Sequence, residues 1–261
     1  MATLENKSPS EFYKDLVHTS NSNAGAHTNS TTLQTGNGNS TALSLGKKQC
    51  IVQPESNGVN SFDVKDASGT SLFRVDTTNS RVMTGSTPIN LQVKEFNLSY
   101  VSAFPSSADT WTALPACAGV QDTLSVLEMG ASSGVPTATK TITGNAQRIM
   151  PYFWYVPLNI ELYAVKAQTT CDTTTGDNFL YAVSKYTLNS GNTASSGDLS
   201  SGAQIAISSV QSSAGNEQIY YNDLVLSSAT VSAGQVVIAY VAQNGVNSDL
   251  SCNLQIFYRF V

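Results

Sequence analysis

At 261 residues, the chain has room for one large β domain, or for a smaller one carrying an arm, and not for a multi-domain enzyme or a long fibre. Its net charge of −5 withholds the basic footprint of a nucleic-acid binder. Ser, Thr and Asn supply 83 residues while charged residues are only 12%, a hydroxyl- and amide-rich composition that suits strands and turns rather than helices.

Residues 1–48 read as polar and mostly irregular. Phe12, Tyr13, Leu16 and Val17 form their only apolar cluster, and Ser8-Pro9-Ser10-Glu11 ahead of it has the form of a helix start. Residues 20–40 offer almost nothing to bury, so order there is expected to come from other chains. Residues 1–20 hold five charges and no apolar core of the kind a secretory leader needs, so synthesis in a cytoplasm is expected. No apolar run approaches the roughly 20 residues of a spanning helix, and membrane insertion is not expected.

Residues 49–95 read as a short β stem. Across 41–95 short strands are expected at 42–45, in the arm, and at 50–52, 61–65 and 72–75, with a turn at Asp66-Ala67-Ser68-Gly69. A hairpin of this size cannot stand alone in water, so stacking with copies of itself is the expected solution.

Near residue 95 the apolar density rises, and a head domain is expected over 96–261. Its strand candidates are 96–104, 123–129, 152–156, 159–167, 178–188, 203–210, 218–226, 235–241 and 250–261, separated by Gly/Ser/Asn-rich turns. Eight or nine strands without a helical period describe a two-sheet sandwich, and a jelly roll is the specific expectation. The densest stretch is Tyr152-Phe153-Trp154-Tyr155, cut by Pro157 and followed by an alternating strand. Its aromatics must divide between two faces, as core, as a contact with a neighbouring chain, or as a sugar-stacking platform. In the last strand Leu254, Ile256, Tyr258 and Phe260 share one face and Gln255, Phe257 and Arg259 the other.

Chemistry-bearing groups are sparse. Cys50, Cys117, Cys171 and Cys252 show no metal-ligand spacing, and the reading is of small buried or partly buried thiols, although a bridge such as Cys171 to Cys252 remains open. Both histidines, His18 and His27, lie in the N-terminal segment, so no Ser/His/Asp triad is expected in the head. Asp172, Asp177, Glu217 and Asp223 are the candidate carboxylates for glycoside hydrolysis, and all sit in or beside turns, where acids serve as turn formers. Asp172 and Asp177 flank a Gly as a loose oxygen-ligand loop without the closing Glu of a calcium site. No enzymatic activity, metal or cofactor is expected. The polar loops at 191–202 and 244–249 are of a kind that contacts glycans.

A resemblance lies on particular phrases. The stretch from residue 3 to 23, with Phe12-Tyr13-Lys14-Asp15-Leu16, followed by Gly36-Asn37-Gly38-Asn39-Ser40-Thr41, resembles N-terminal attachment segments of virion proteins from tailed phages of cyanobacteria and other aquatic bacteria. Phe62-Asp63-Val64-Lys65 through Phe73-Arg74-Val75-Asp76-Thr77 looks like the short β units of phage fibres and spikes, and Trp154-Tyr155-Val156-Pro157-Leu158-Asn159-Ile160 is similar to a phrase in their C-terminal β domains. The resemblance implies a homotrimeric virion protein: a capsid decoration or cement protein whose arm, through Phe12, Tyr13, Leu16 and Val17, grips the phage major capsid protein. The alternative it implies is a short tail fibre or receptor-binding spike whose head contacts host surface glycans.

Overall fold

The computed structural model describes residues 17–19, 31–35, 39–101, 109–116, 127–141, 150–171, 178–189, 198–213, 218–243 and 250–261. They are almost entirely β, and the chain divides into two compact units between Asn90 and Leu91.

The first unit holds two small antiparallel sheets. One runs in order from β1 (Val17–Thr19) through β2 (Thr31–Thr35) and β3 (Ser40–Leu45) to β4 (Cys50–Val52). Strands β1 and β2 occupy polar chain where irregular structure was expected. Thr-rich runs such as Thr31-Thr32-Leu33-Gln34-Thr35 carry β-branched side chains that favour extended backbone, and β3 supplies a partner along their length. The other sheet runs β5 (Phe62–Lys65), β6 (Ser71–Asp76), β7 (Arg81–Thr84), β8 (Thr87–Pro88).

Aspartates shape both longer turns of that sheet. Asp66 Oδ1 accepts from the backbone N–H of Ser68 at 2.9 Å and of Thr70 at 2.8 Å, and Gly69 takes a φ of 89°, closing the expected 66–69 turn. Asp76 accepts from Asn79 twice, from its N–H at 2.9 Å and from its side-chain amide at 2.8 Å.

The second unit is built on eight principal strands: β9 (Gln92–Val101), β10 (Thr110–Ala113), β13 (Ile160–Cys171), β14 (Asn178–Leu188), β15 (Leu199–Ile207), β17 (Gln218–Leu226), β19 (Gln235–Gln243) and β20 (Leu250–Phe260). Short strands complete it: β11 (Glu128–Ala131), β12 (Trp154–Tyr155), β16 (Gln211–Ser212) and β18 (Thr230–Val231). Counting only the eight, first pairs with eighth, second with seventh, third with sixth and fourth with fifth, all antiparallel, as if one long hairpin had been wrapped around a barrel. The wrap brings β20 against β13 and β19 against β14, giving one sheet in the order β9, β20, β13, β17 and a second in the order β10, β19, β14, β15. That connectivity is the jelly roll. Among the described residues the two sheets join where Ala206 and Ile207 of β15 meet Leu226 and Val225 of β17.

The main core lies between the sheets. Phe96, Leu254, Ile256, Val165 and Leu162 of the first sheet face Phe179, Tyr181, Val183, Val237, Ala239 and Val241 of the second. A smaller core covers the far side of the second sheet, where Trp111, Met129, Tyr152, Tyr186, Ile238 and Tyr240 pack together. Strand β19 is therefore buried on both faces, which is why it reads as the unbroken run Val-Val-Ile-Ala-Tyr-Val-Ala rather than as an alternation. The stretch before β12 passes over this second core. Trp111 donates its indole N–H to the Gly134 carbonyl at 2.8 Å, and the Gly202 N–H donates to the Ala138 carbonyl at 2.8 Å.

The four consecutive aromatics form a shorter strand than 152–156. Pro151 and Pro157 bracket them, Met150–Tyr152 turns as a 3-10 helix, and only Trp154 and Tyr155 pair with β19. Tyr152 and Phe153 join the second core, Trp154 packs at 4.9 Å on Tyr258 beside the main core, and Tyr155 is exposed. The last strand alternates as its residues require: Leu254 and Ile256 are buried inward, and on the opposite face Arg259 Nε donates to Glu161 Oε2 at 3.0 Å.

Candidate functional site

Two surfaces stand out, one in each unit. In the first unit, register places Phe62 opposite Val75, Val64 opposite Phe73, and Val75 opposite Val82. Directly opposed residues of an antiparallel sheet point the same way, so these five make one continuous apolar face. Phe62 and Phe73 meet edge to face at 6.2 Å. Phe62, Val64 and Phe73 are 41%, 43% and 36% exposed, so among the described residues of this unit nothing covers them. The opposite face carries Asp63, Arg74 and Asp76. The small sheet thus turns Phe62, Val64 and Phe73 to solvent, while its opposite face holds buried Met83 opposite Arg74; exposed apolar area of this kind marks an interaction surface.

In the second unit, the outer face of the sheet β9, β20, β13, β17 is organised in rows across the strands. One row holds Asn97, Asn253, Gln168 and Tyr221, and the next holds Glu95, Gln255, Lys166 and Asp223. Each row is bonded internally. Asn253 donates its amide to Asn97 Oδ1, Gln168 Nε2 donates to the Tyr221 hydroxyl at 3.3 Å, Gln255 Nε2 to Glu95 Oε1 at 2.9 Å, and Lys166 Nζ to Asp223 Oδ1 at 2.9 Å. Above the amide row a cleft of about 380 Å³ is lined by Asn97, Gln168, Thr170, Ile219, Ser251 and Asn253, among others. Strand β17 contributes Ile219 to its lining, and Tyr221 and Val225 follow on the same face of that strand, all three more than half exposed, while the alternate residues Tyr220, Asn222 and Leu224 are buried.

The residues singled out from sequence fall as follows. Phe12, Tyr13 and Leu16 lie outside the described residues, and Val17 opens β1, with its Cα opposite Thr35. His18 follows it in β1, and His27 lies outside the described residues. Asp172, Asp177 and Glu217, and with them the loose calcium loop, also lie outside. Asp223 is exposed on the outer face, held by Lys166. Loop 244–249 and residues 191–197 are outside, and residues 199–202 belong to β15.

The cysteine reading holds for Cys252 and needs one correction, at Cys50. Cys50 is exposed rather than buried, because β4 is a three-residue strand with no covering layer. Cys252 is a free buried thiol, and the Cys171 bridge does not form: register sets Thr169 opposite Cys252 and Leu250 opposite Cys171. Burial pushes the Cys252 thiol up to about 12.

Among the described residues, no group of three or more His, Cys, Asp or Glu side chains is gathered to hold a metal ion, and no helix is long and apolar enough to cross a membrane. The amide row escaped sequence reading because its four members come from four strands distant in the chain. The only local sign was Ile219-Tyr220-Tyr221-Asn222-Asp223-Leu224-Val225, where both faces of one strand carry large side chains.

The described residues define an all-β protein with a jelly-roll head and a small-sheet N-terminal unit. No protein-family model and no curated protein sequence matches the chain.

Proposed function

We propose that this chain is a structural protein of a tailed-phage particle, a homotrimer that decorates and stabilises the capsid. In this reading residues 1–48 hold the major capsid protein, the small sheet of β5 to β8 gathers three chains, and the jelly-roll head stands outward. The observation that supports it most is the apolar face of Phe62, Val64, Phe73, Val75 and Val82, of which Phe62, Val64 and Phe73 are exposed. A sheet this small needs its apolar side buried to be stable, and three copies around an axis turn three such sides into one core. Burial at about 25 cal/mol per Å² then favours assembly, offset by the loss of freedom on association. Trimers that straddle neighbouring capsid subunits resist their separation by the same burial, which requires no catalytic group.

Light scattering on the purified full chain tests the assembly: a mass three times that of one chain is expected, and Phe73→Asp should release monomers. A monomeric wild-type chain would refute the trimer. Anchoring is tested separately by co-sedimentation with phage heads, where removal of residues 1–48 should abolish binding and leave the trimer intact.

A short fibre or spike that touches host glycans is the second reading. The uncharged amide row and exposed Tyr221 on the head favour it.

A further inference from the structure

The outer face of the head's first sheet has a chemical character that capsid binding leaves unused. We propose that the cleft over Asn97, Asn253, Gln168 and Tyr221 binds a neutral saccharide.

Among the described residues, uncharged groups line it. Its side chains are amides, hydroxyls and Ile219, apart from the inward-facing Leu98, Thr169 and Cys252 at its floor. A sugar hydroxyl both donates and accepts, and amides do the same in a fixed geometry. The bonds within the row use one hydrogen each of Asn253 Nδ2 and Gln168 Nε2 and one lone pair of Asn97 Oδ1. Asn97 Nδ2 and Gln168 Oε1 are then left to serve a ligand as donor and acceptor, with Thr170 and Ser251 hydroxyls one row further on. Those two residues face each other across β13 and β20.

Tyr221 completes the pattern. It is 70% exposed, on a sheet whose inward-facing residues on the same strand are buried. Its hydroxyl is tied to Gln168, which leaves the ring standing beside the cleft as a flat apolar surface for the C–H face of a pyranose.

Charge decides between sugar classes. The next row carries Glu95, Lys166 and Asp223; Lys166 is neutralised by Asp223, and Glu95 remains. With a chain charge of −5 around it, the cleft repels phosphates, sulfated sugars and uronic acids and accepts uncharged hexoses.

Affinity electrophoresis of the full chain in native gels cast with dextran, mannan, galactan or polygalacturonate tests this. Retardation is expected in at least one of the three neutral gels and not in polygalacturonate. Tyr221→Ala and Gln168→Ala should each weaken it about tenfold, Tyr221→Phe should keep most of it, and Tyr155→Ala, exposed elsewhere on the head, should leave it unchanged. Unfolding temperatures of all variants identify any that are misfolded. Free migration in every neutral gel, retardation that survives both alanine variants, or equal retardation in polygalacturonate overturns the proposal. So does a change in light-scattering mass with Tyr221→Ala, which would make the face a contact between chains. The wild-type mass bears only on trimer formation, so the two proposals fail independently.

Discussion

Tyr240 donates its hydroxyl hydrogen to the Tyr186 hydroxyl at 2.9 Å inside the second core of the head, where neither ring is exposed. Burial holds both phenols above their ordinary range; for Tyr240 the rise is large, and for Tyr186 the bond from Tyr240 partly opposes it. Removing the Tyr240 oxygen leaves Tyr186 with a weaker set of partners in a dry site. Tyr240→Phe should lower stability by about 1 kcal/mol, and adding Tyr186→Phe should cost less than the sum of the two single changes. A double-mutant cycle by denaturant unfolding measures the coupling.

The same pair sets the alkaline limit. A group whose folded pKa lies above its unfolded one keeps its proton longer when folded, so its stabilising contribution is complete below the unfolded value and is lost as pH rises through the folded one. For the two phenols that loss begins near about pH 10, and the Cys252 thiol, at about 12 when folded, adds a loss that starts somewhat lower. Melting temperature should therefore fall on the alkaline side from about pH 9 upward, and Tyr186→Phe/Tyr240→Phe should flatten the fall. A slope unchanged in the double variant would remove the pair as its cause.

At the acid end the turns of the small sheet should fail first. Asp66 is held below its ordinary carboxyl range chiefly by the Ser68 hydroxyl, and Asp76 chiefly by the Asn79 side-chain amide. Groups with lowered pKa contribute stability above their unfolded value and lose it as pH drops through the folded one. Hydrogen exchange in β6 and β7 should accelerate below about pH 4, with the head unaffected over the same interval. Asp76→Asn should remove most of that pH dependence.

Gly202 permits the closest approach in the head. A Cβ there would sit 2.4 Å from Tyr186 Cε1 and 2.7 Å from Ala138 Cα, and one of those atoms is backbone. Gly202→Ala should destabilise the head by about 1–3 kcal/mol, read from the shift of the urea midpoint. A neutral outcome would mean that the segment crossing β15 at Ala138 is free to lift.

Thiol chemistry separates the cysteines. A brief alkylation at neutral pH followed by peptide mapping should modify exposed Cys50 and spare Cys252, which is buried and bonded to the backbone at Leu98. In denaturant Cys252 should react as well.

Much of the head was legible because burial on one face writes a period of two. The strands at 178–188 and 218–226 have the bounds read from sequence, and the alternation of Leu254, Ile256 and Tyr258 against Gln255 and Arg259 is the one the fold uses. Strand β10, with only Thr110-Trp111-Thr112-Ala113, was missed because four residues before Pro115 are too few to show a period. The aromatic block misled for the opposite reason: density of large side chains marks burial, and two prolines decide that most of that burial is not in a strand. Strands β1 and β2 carry one large apolar residue each, Val17 and Leu33, too few to show a period, and Thr favours extended backbone without signalling a core. The amide row needed the register of four strands at once, information that no local window contains.

Strand β20 lies between β9 and β13, so Asn97 finds its neighbour Asn253 at a distance of 156 positions along the chain. A ribosome must have delivered 156 residues beyond Asn97 before the head's opening strand can pair there with β20. Until then that strand waits with bare edges, which predicts unhurried maturation and a need for chaperones while the sandwich is incomplete.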